Sequence, residues 1–125
     1  MTAAPATRFA RGKVIERTGD GLLATFDGPA RAVTCAESIS AELGILDLEV
    51  RAGVHAGEVE LRGDKVGGIA VHIAARVMGA AGAGDVLVSR TIRELVAGSG
   101  LEFEDRGMHD LKGLDESWQL FAVKR

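Results

Sequence analysis

Two short stretches of the sequence carry residues whose types and spacing could do chemistry. The first is Thr18-Gly19-Asp20-Gly21, in which two glycines flank a single carboxylate. Asp-Gly between apolar runs is typical of a β-hairpin turn, because both residues tolerate positive φ. Asp20 has two interpretations: its carboxylate caps its own backbone, as in many turns, or it binds a metal ion. The turn alone leaves both open.

The second stretch is an alanine-rich segment, residues 66–78, that carries His72 and Arg76. On a helix, side chains four residues apart lie one turn apart on the same face. Two side chains that can both be cationic make a poor ion pair but a good clamp for an anion such as a phosphate. The alternative is an ordinary solvent-facing helix surface, where charged side chains are common.

The elements that must position these residues begin with a hairpin. Residues 8–17 lead into its first strand, and its second strand is predicted at 22–26. Asp27-Gly28-Pro29 then predicts a helix start, with Asp27 as the cap, and Gly44 predicts its end. The apolar face of this helix is predicted to consist of Ala32, Val33, Ala36, Ile39 and Leu43.

The rest of the chain alternates between strand and helix patterns. Strands are predicted at 48–56, 58–61, 85–89, 101–106 and 118–123, with a turn at 62–64, and helices at 66–78 and 91–96. The second helix is predicted to bury Ile69, Ile73 and Val77, and the third to begin with a capping box of Thr91 and Glu94. Either face of 118–123 could be buried, and His55 is left without a role. This order predicts an α+β sandwich with helices covering one face of a mixed or largely antiparallel sheet.

Length and composition limit the class of protein. The 125 residues suffice for one domain, predicted at 8–125 after a flexible terminus at 1–7. A net charge of −3 gives no basic surface for nucleic acid. Cys35 falls in a predicted helix and is interpreted as a small buried side chain. No stretch has the length and apolarity of a signal peptide or a membrane span, so we expect a cytoplasmic protein that does not bind membranes.

Four blocks of sequence, in this order and spacing, resemble the catalytic domain of class III adenylate and guanylate cyclases of the bacterial type. They are Thr-Gly-Asp-Gly-Leu-Leu-Ala-Thr-Phe-Asp-Gly-Pro-Ala-Arg-Ala from Thr18, Arg-Ala-Gly-Val-His-Ala-Gly-Glu-Val from Arg51, Gly-Gly-Ile-Ala-Val-His-Ile-Ala-Ala-Arg-Val from Gly67, and Leu-Lys-Gly-Leu from Leu111. The resemblance runs from about Gly12 to Val123.

The resemblance implies a ferredoxin-like α+β fold and a head-to-tail dimer with each active site across the interface. It implies conversion of a nucleoside triphosphate, ATP or GTP, to a cyclic nucleotide and pyrophosphate, assisted by Mg²⁺ or Mn²⁺. By position in the motifs, Asp20 matches the second metal-binding aspartate, Arg76 the arginine that stabilises the transition state, and Lys112 the phosphate-binding lysine. His72 stands where the family has a ribose-positioning Asn.

The positions that read the base differ from those of adenylate cyclases of this type. Glu16 stands where they carry Lys, and Lys65 stands where they carry Asp. Guanine offers N–H donors and an O6 acceptor, which suit Glu and Lys, so guanine is chemically permitted. The alternative is that Glu16 and Lys65 only pair with each other across neighbouring strands.

No Phe-x-Asp-Ile-type strand precedes Asp20, so the sequence predicts a cyclase fold lacking the first strand and helices, and with them the first metal-binding aspartate. One carboxylate is a weak site for Mg²⁺, which requires several oxygen ligands. We therefore expect a domain that is catalytically impaired alone and acts as a dimerising or nucleotide-binding signalling module, as a homodimer or with a complete cyclase. The alternative is an active cyclase completed by strand exchange, a partner chain or an upstream segment.

Overall fold

A computed structural model describes residues 12–18, 21–58, 60–62 and 65–124. Eight strands and three helices lie in this part of the chain. The strands are β1 (Gly12–Thr18), β2 (Gly21–Phe26), β3 (Ala52–Val54), β4 (Glu60–Arg62), β5 (Lys65–Gly67), β6 (Val86–Ser89), β7 (Phe103–Asp110) and β8 (Ser117–Val123). The helices are α1 (Pro29–Ile45), α2 (Ile69–Gly79) and α3 (Arg90–Leu95).

The centre of the fold is a mixed four-stranded sheet in the order β3-β6-β8-β7. β3 and β6 are parallel, whereas β6 with β8 and β8 with β7 are antiparallel. Two antiparallel pairs, β1 with β2 and β4 with β5, stand beside it as separate hairpins. The predicted α+β class and mixed sheet are confirmed, as is the first hairpin, although the 1–7 terminus and the turn residues 19–20 and 63–64 lie outside the described residues.

Two hydrophobic cores lie on opposite faces of the sheet. On one face α1 and α3 pack against Val86 and Val88 of β6, and on the other α2 packs against Leu87. All four residues of β6 are buried, as expected for a strand covered on both sides. The prediction that helices cover one face was therefore wrong, because an unbroken apolar strand does not reveal how many layers cover it.

β8 separates the same two cores. Leu120 and Ala122 belong to the core on the α2 side, and Phe121 belongs to the core on the α1 and α3 side. The sequence left open which face of this strand is buried, and the structure buries both.

α1 begins at Pro29, where the missing N–H of proline is not needed. Its N-cap is Gly28 and no side chain caps it, so the prediction that Asp27 is the cap was wrong. Asp27 instead accepts a hydrogen bond from Arg31 Nη1 at 3.0 Å, one turn into the helix. Val33 and Cys35 are buried, which confirms the interpretation of the cysteine.

α2 begins three residues later than predicted. Residues 65–67 form β5, and Gly68, with φ of 111°, turns the chain into the helix. The buried residues are Ala70, Ile73 and Val77, whereas Ile69 is 63% exposed, so the predicted stripe was wrong at its first position. The periodicity was right, but the stripe is displaced by one residue at the first turn.

α3 is capped by Ser89 and not by the predicted Thr91. Ser89 Oγ accepts a hydrogen bond from the Ile92 backbone N–H at 3.4 Å, and the helix already begins at Arg90. Glu94, the other half of the predicted capping box, pairs with Arg90 at 3.0 Å.

The strand predicted over 48–56 is shorter in the structure. Only Ala52–Val54 forms a strand, which pairs with β6, and Leu48 is 54% exposed. Within the described ranges, no helix combines the length and apolarity required to cross a bilayer.

Candidate functional site

The candidate site lies where α2 meets the Leu111–Leu114 turn. His72 is half-buried on α2, and its ring lies against Gly113. A Cβ on Gly113 would lie only 3.1 Å from His72 Nε2 and 3.6 Å from its Cε1. The structure therefore brings His72 to the turn that carries Lys112, although the two are 40 residues apart in the sequence.

The turn is held by its own apolar residues. Leu111 is 6% exposed and belongs to the core beneath α2, against which Leu114 also packs. The Leu114 N–H donates to the Leu111 carbonyl at 3.0 Å, and Gly113 adopts a φ of 84°. This positive φ suits glycine, and any side chain here would press against the close histidine ring. Lys112 at the tip is exposed.

Arg76 lies one turn after His72 on the same helix, as its spacing predicted. Its side chain is half-buried, and its Nε atom is buried with no hydrogen-bond partner among the described residues. A guanidinium is always charged and only donates hydrogen bonds, so a buried Nε without an acceptor is costly. This unmet donor is the strongest sign of a ligand-binding role in the part of the chain that the structure describes.

The position of α2 is fixed by an exceptionally close approach of β3. A Cβ on Gly53 would lie 2.3 Å from Met78 N and 2.6 Å from the Ala74 carbonyl oxygen, so only glycine permits this contact. The backbone of α2 thus rests directly on the sheet edge. His72 and Arg76 are consequently carried by an element with little freedom to shift.

The other predicted site residues are not brought to this place by anything that the structure describes. Asp20 lies outside the described residues, and Glu16 and Lys65 are described by their backbone alone. Their strand ladders set Glu16 opposite Leu23 and Lys65 opposite Arg62, so the two are not register partners of each other.

The described residues contain no group of three or more His, Cys, Asp or Glu side chains that could hold a metal ion. With Asp20 outside the described residues, a fit to a divalent cation has no support in the described geometry. The assignment of Asp20 to Mg²⁺ or Mn²⁺ stays a prediction.

A second polar cluster, missed at the sequence level, joins His55, Ser89 and Trp118. His55 Nδ1 lies 2.7 Å from Ser89 Oγ, and its ring meets Trp118 edge to face with centroids 5.6 Å apart. Trp118 Nε1 is buried and has no hydrogen-bond partner among the described residues. A single tryptophan at the start of an apolar strand was the available signal, but the pattern did not decide which way it faces.

Burial lowers the pKa of His55 below its ordinary value of 6.5. The ring is half-buried, and desolvation disfavours the charged imidazolium. His55 is therefore neutral at pH 7, so it acts here as a hydrogen-bonding and packing group.

One of the relatives found by sequence comparison carries the name of a cyclase. A Rhizobium meliloti protein named "Putative adenylate cyclase 3" is 30% identical over 120 residues, which are 89% of this chain and 20% of that protein. An uncharacterized protein of Mycobacterium tuberculosis is 31% identical over 99 residues, 77% of this chain and 34% of that protein. The chain thus spans a fifth to a third of these relatives. No model of a known protein family matches it.

Solved structures agree on the fold. An adenylate/guanylate cyclase/hydrolase from Silicibacter pomeroyi superposes with a TM-score of 0.83 at 26% identity, covering 97% of this chain and 77% of that one. The chain is a class III adenylate/guanylate cyclase homology domain. The adenylyl cyclase CyaB from P. aeruginosa shares the fold, with a TM-score of 0.86 at 18% identity over 99% of this chain and 77% of its own.

The guanylate cyclase domain of RhGC from Catenaria anguillulae, solved in complex with GTP, also has this fold, with a TM-score of 0.81 at 17% identity over 98% of this chain and 78% of its own. In the present cyclase homology domain, His72 and Arg76 of α2 lie on the same face of the sheet as the Leu111–Leu114 turn, which carries Lys112. The Nε atom of Arg76 has no hydrogen-bond partner among the described residues. Groups of these types recognise anions.

Proposed function

We propose that this cyclase homology domain binds a nucleoside triphosphate on its α2 face, with His72, Arg76 and Lys112 as protein ligands. The buried, unpartnered Nε of Arg76 carries the proposal, because a phosphate oxygen would supply the acceptor that it lacks. The GTP complex of the similar guanylate cyclase domain supports a nucleotide as the source of that phosphate.

Each residue would contribute through charge and position. Phosphoryl transfer leaves the protein little covalent chemistry to perform, so catalysis rests on orienting the reactants and stabilising charge on the phosphorus oxygens. Arg76, always cationic and held by a fixed helix, suits the charge that develops in the transition state. Lys112, exposed at the tip of its turn, suits the outer phosphates as a mobile point charge.

His72 would orient the ribose, a task that the family gives to an asparagine. An imidazole offers one donor or acceptor at each ring nitrogen, and the Nε2 edge is already close to Gly113. Its geometry differs from that of an amide, so we expect slower turnover at this site, because small errors in placement are costly in rate.

We further propose that the domain works as half of a composite site, paired with a second copy or with a complete cyclase. Glu16 and Lys65 would face the base, and Asp20 would bind Mg²⁺ or Mn²⁺ in such an assembly. Alone the domain would be catalytically impaired and would serve as a dimerising, nucleotide-binding signalling module.

The second candidate function is an active adenylate or guanylate cyclase completed by strand exchange, a partner chain or a further segment. Its support is the retention of Arg76 on a rigid α2 beside the lysine-bearing turn. The two candidates differ in whether cyclic nucleotide forms without a complete cyclase.

The deciding experiment measures cyclic nucleotide release from ATP and from GTP with Mn²⁺ and with Mg²⁺, for the chain alone and for its mixture with a complete homologue. We expect no release by the chain alone and release by the mixture above that of the homologue. Release of cyclic nucleotide by the chain alone, if EDTA abolishes it, would establish the second candidate, an active cyclase.

Arg76→Ala tests whether Arg76 takes part in an active site formed between this domain and the complete homologue. We expect the added activity to fall by about 100-fold or more, since charge stabilisation of this kind contributes roughly 10²–10³ in rate. Arg93→Ala, on an exposed arginine of α3 across the sheet, is the control. Equal activity of the Arg76→Ala mixture and the unsubstituted mixture would exclude a donated site.

A further inference from the structure

Trp118 has a buried polar atom that has no role in the nucleotide site proposed above. Its Nε1 is out of contact with solvent and has no acceptor among the described residues. The indole N–H can only donate, and a buried donor without a partner is unfavourable. An apolar ring would fill the same space without this cost, so the donor requires an explanation.

The orientation of the Trp118 indole is fixed by His55 and, through His55, by Ser89. His55 meets the ring edge to face at an interplanar angle of 88°, and Ser89 holds His55 through the 2.7 Å hydrogen bond. Ser89 is fully buried and is itself held as the cap of α3. A donor supported in this way is already oriented before any ligand arrives, which reduces the entropy lost on binding.

Trp118 shares a core with the elements of the candidate site. It packs against the cluster that contains Ile73 and Val77, the α2 residues between which Arg76 lies in sequence. Leu111 of the same cluster anchors the turn that carries Lys112. The unmet donors of Trp118 and Arg76 therefore belong to elements that meet on one face of the sheet.

Two donors cannot satisfy each other, so each requires an acceptor, and a triphosphate carries several acceptor oxygens. Building on the proposed nucleotide site, we infer that Trp118 donates its indole N–H to a phosphate oxygen of a bound nucleoside triphosphate. Trp118 is thereby a further ligand-binding residue, and His55 and Ser89 are positioning residues that act through it. A buried water would also accept from the indole, but such a bond would not respond to nucleotide.

The sequence makes a direct test available, because the chain has one tryptophan and no tyrosine. A ¹⁵N-labelled sample gives a single indole N–H peak, followed during titration with Mg·ATP, Mg·GTP and inorganic tripolyphosphate. We expect all three to move this peak downfield to a plateau.

The other outcomes each decide the question. An unmoved indole peak while backbone amides shift would overturn the role of Trp118 and leave nucleotide binding standing. A response to nucleotides but not to tripolyphosphate would overturn phosphate as the acceptor. No shift at any peak would overturn the proposed nucleotide site together with this inference.

Trp118→Phe removes the donor and keeps an aromatic ring. We expect its dissociation constant for Mg·ATP or Mg·GTP, measured by calorimetry, to rise about 10-fold, as for a hydrogen bond to a charged group. Arg93→Gln is the control, because Arg93 stands over Phe121 across the sheet and lines a separate shallow groove of about 370 Å³. Unchanged affinity in a folded Trp118→Phe variant would contradict the inference. If that variant fails to fold, the titration of the indole N–H peak in the unsubstituted protein tests the inference instead.

Discussion

His55 illustrates how one side chain couples the fold to pH. Its pKa is lowered by burial, so the unfolded chain takes up a proton at higher pH than the folded chain does. The contribution of His55 to stability is therefore fully present above the ordinary value of 6.5 and is lost as the pH falls from 6.5 through the lowered pKa.

We expect the free energy of unfolding, measured in urea, to fall between pH 7.5 and pH 5, and the His55→Gln variant to lose part of this fall. Glutamine keeps polar atoms at the site and does not titrate in this range. Identical pH profiles for the two proteins would show that His55 is not the group responsible.

At the scale of elements, Ser89 ends β6 and begins α3. Its hydroxyl oxygen accepts from Ile92 N–H and also bonds His55. Ser89→Ala should destabilise the fold by about 1–3 kcal/mol, through the lost cap and the unpaired histidine nitrogen. Thr91→Ala is the matched control, since Thr91 is exposed and does not cap the helix, and it should change stability by less than about 0.5 kcal/mol. Equal losses in the two variants would contradict the assignment of the cap.

The contact between β3 and α2 depends on the absence of a side chain at Gly53. Gly53→Ala would place a methyl group inside the backbone of α2, at 2.3 Å from Met78 N, and should cost about 3 kcal/mol or more in urea unfolding. Gly44→Ala, within α1 and with nothing within 4 Å of the new methyl, should instead stabilise by about 0.5–1 kcal/mol. A tolerated Gly53→Ala would mean that α2 can move away from the sheet.

The elements differ in how well the sequence predicted them. The first hairpin, α1, β6 and the final pair of strands follow from local patterns and turn residues, and so does the spacing of His72 and Arg76. The one-residue error at Ile69 and the choice of Thr91 over Ser89 arose because several residues near a helix start satisfy the same local rules. The contacts of Gly113 with His72 and of His55 with Trp118 join distant parts of the chain, which periodicity does not encode.

At the scale of the whole molecule, the proposed composite site would require the α2 face to meet a second chain. Ile69, 63% exposed at the start of α2, lies one turn before His72 and is available for such a contact. We expect sedimentation at micromolar concentration to give the mass of a dimer for the unsubstituted protein.

Ile69→Gln should weaken this dimer, and Leu95→Gln should not, because Leu95 is 56% exposed on α3 across the sheet. Both changes replace an exposed apolar side chain by the same amide, so they differ mainly in the face that they alter. A monomer for the unsubstituted protein, or equal dissociation by both variants, would exclude self-association through the α2 face.

The burial of β8 on both sides has a consequence for the order of assembly. Leu120 belongs to one hydrophobic core and Phe121 to the other. Neither core can therefore be completed until the ribosome has synthesised β8, which ends at Val123. The three helices precede β8 in the sequence, so they are synthesised before the sheet on which they pack is complete. Amide protons of this strand should accordingly exchange with solvent only when the entire domain opens, and should be among the slowest in the molecule.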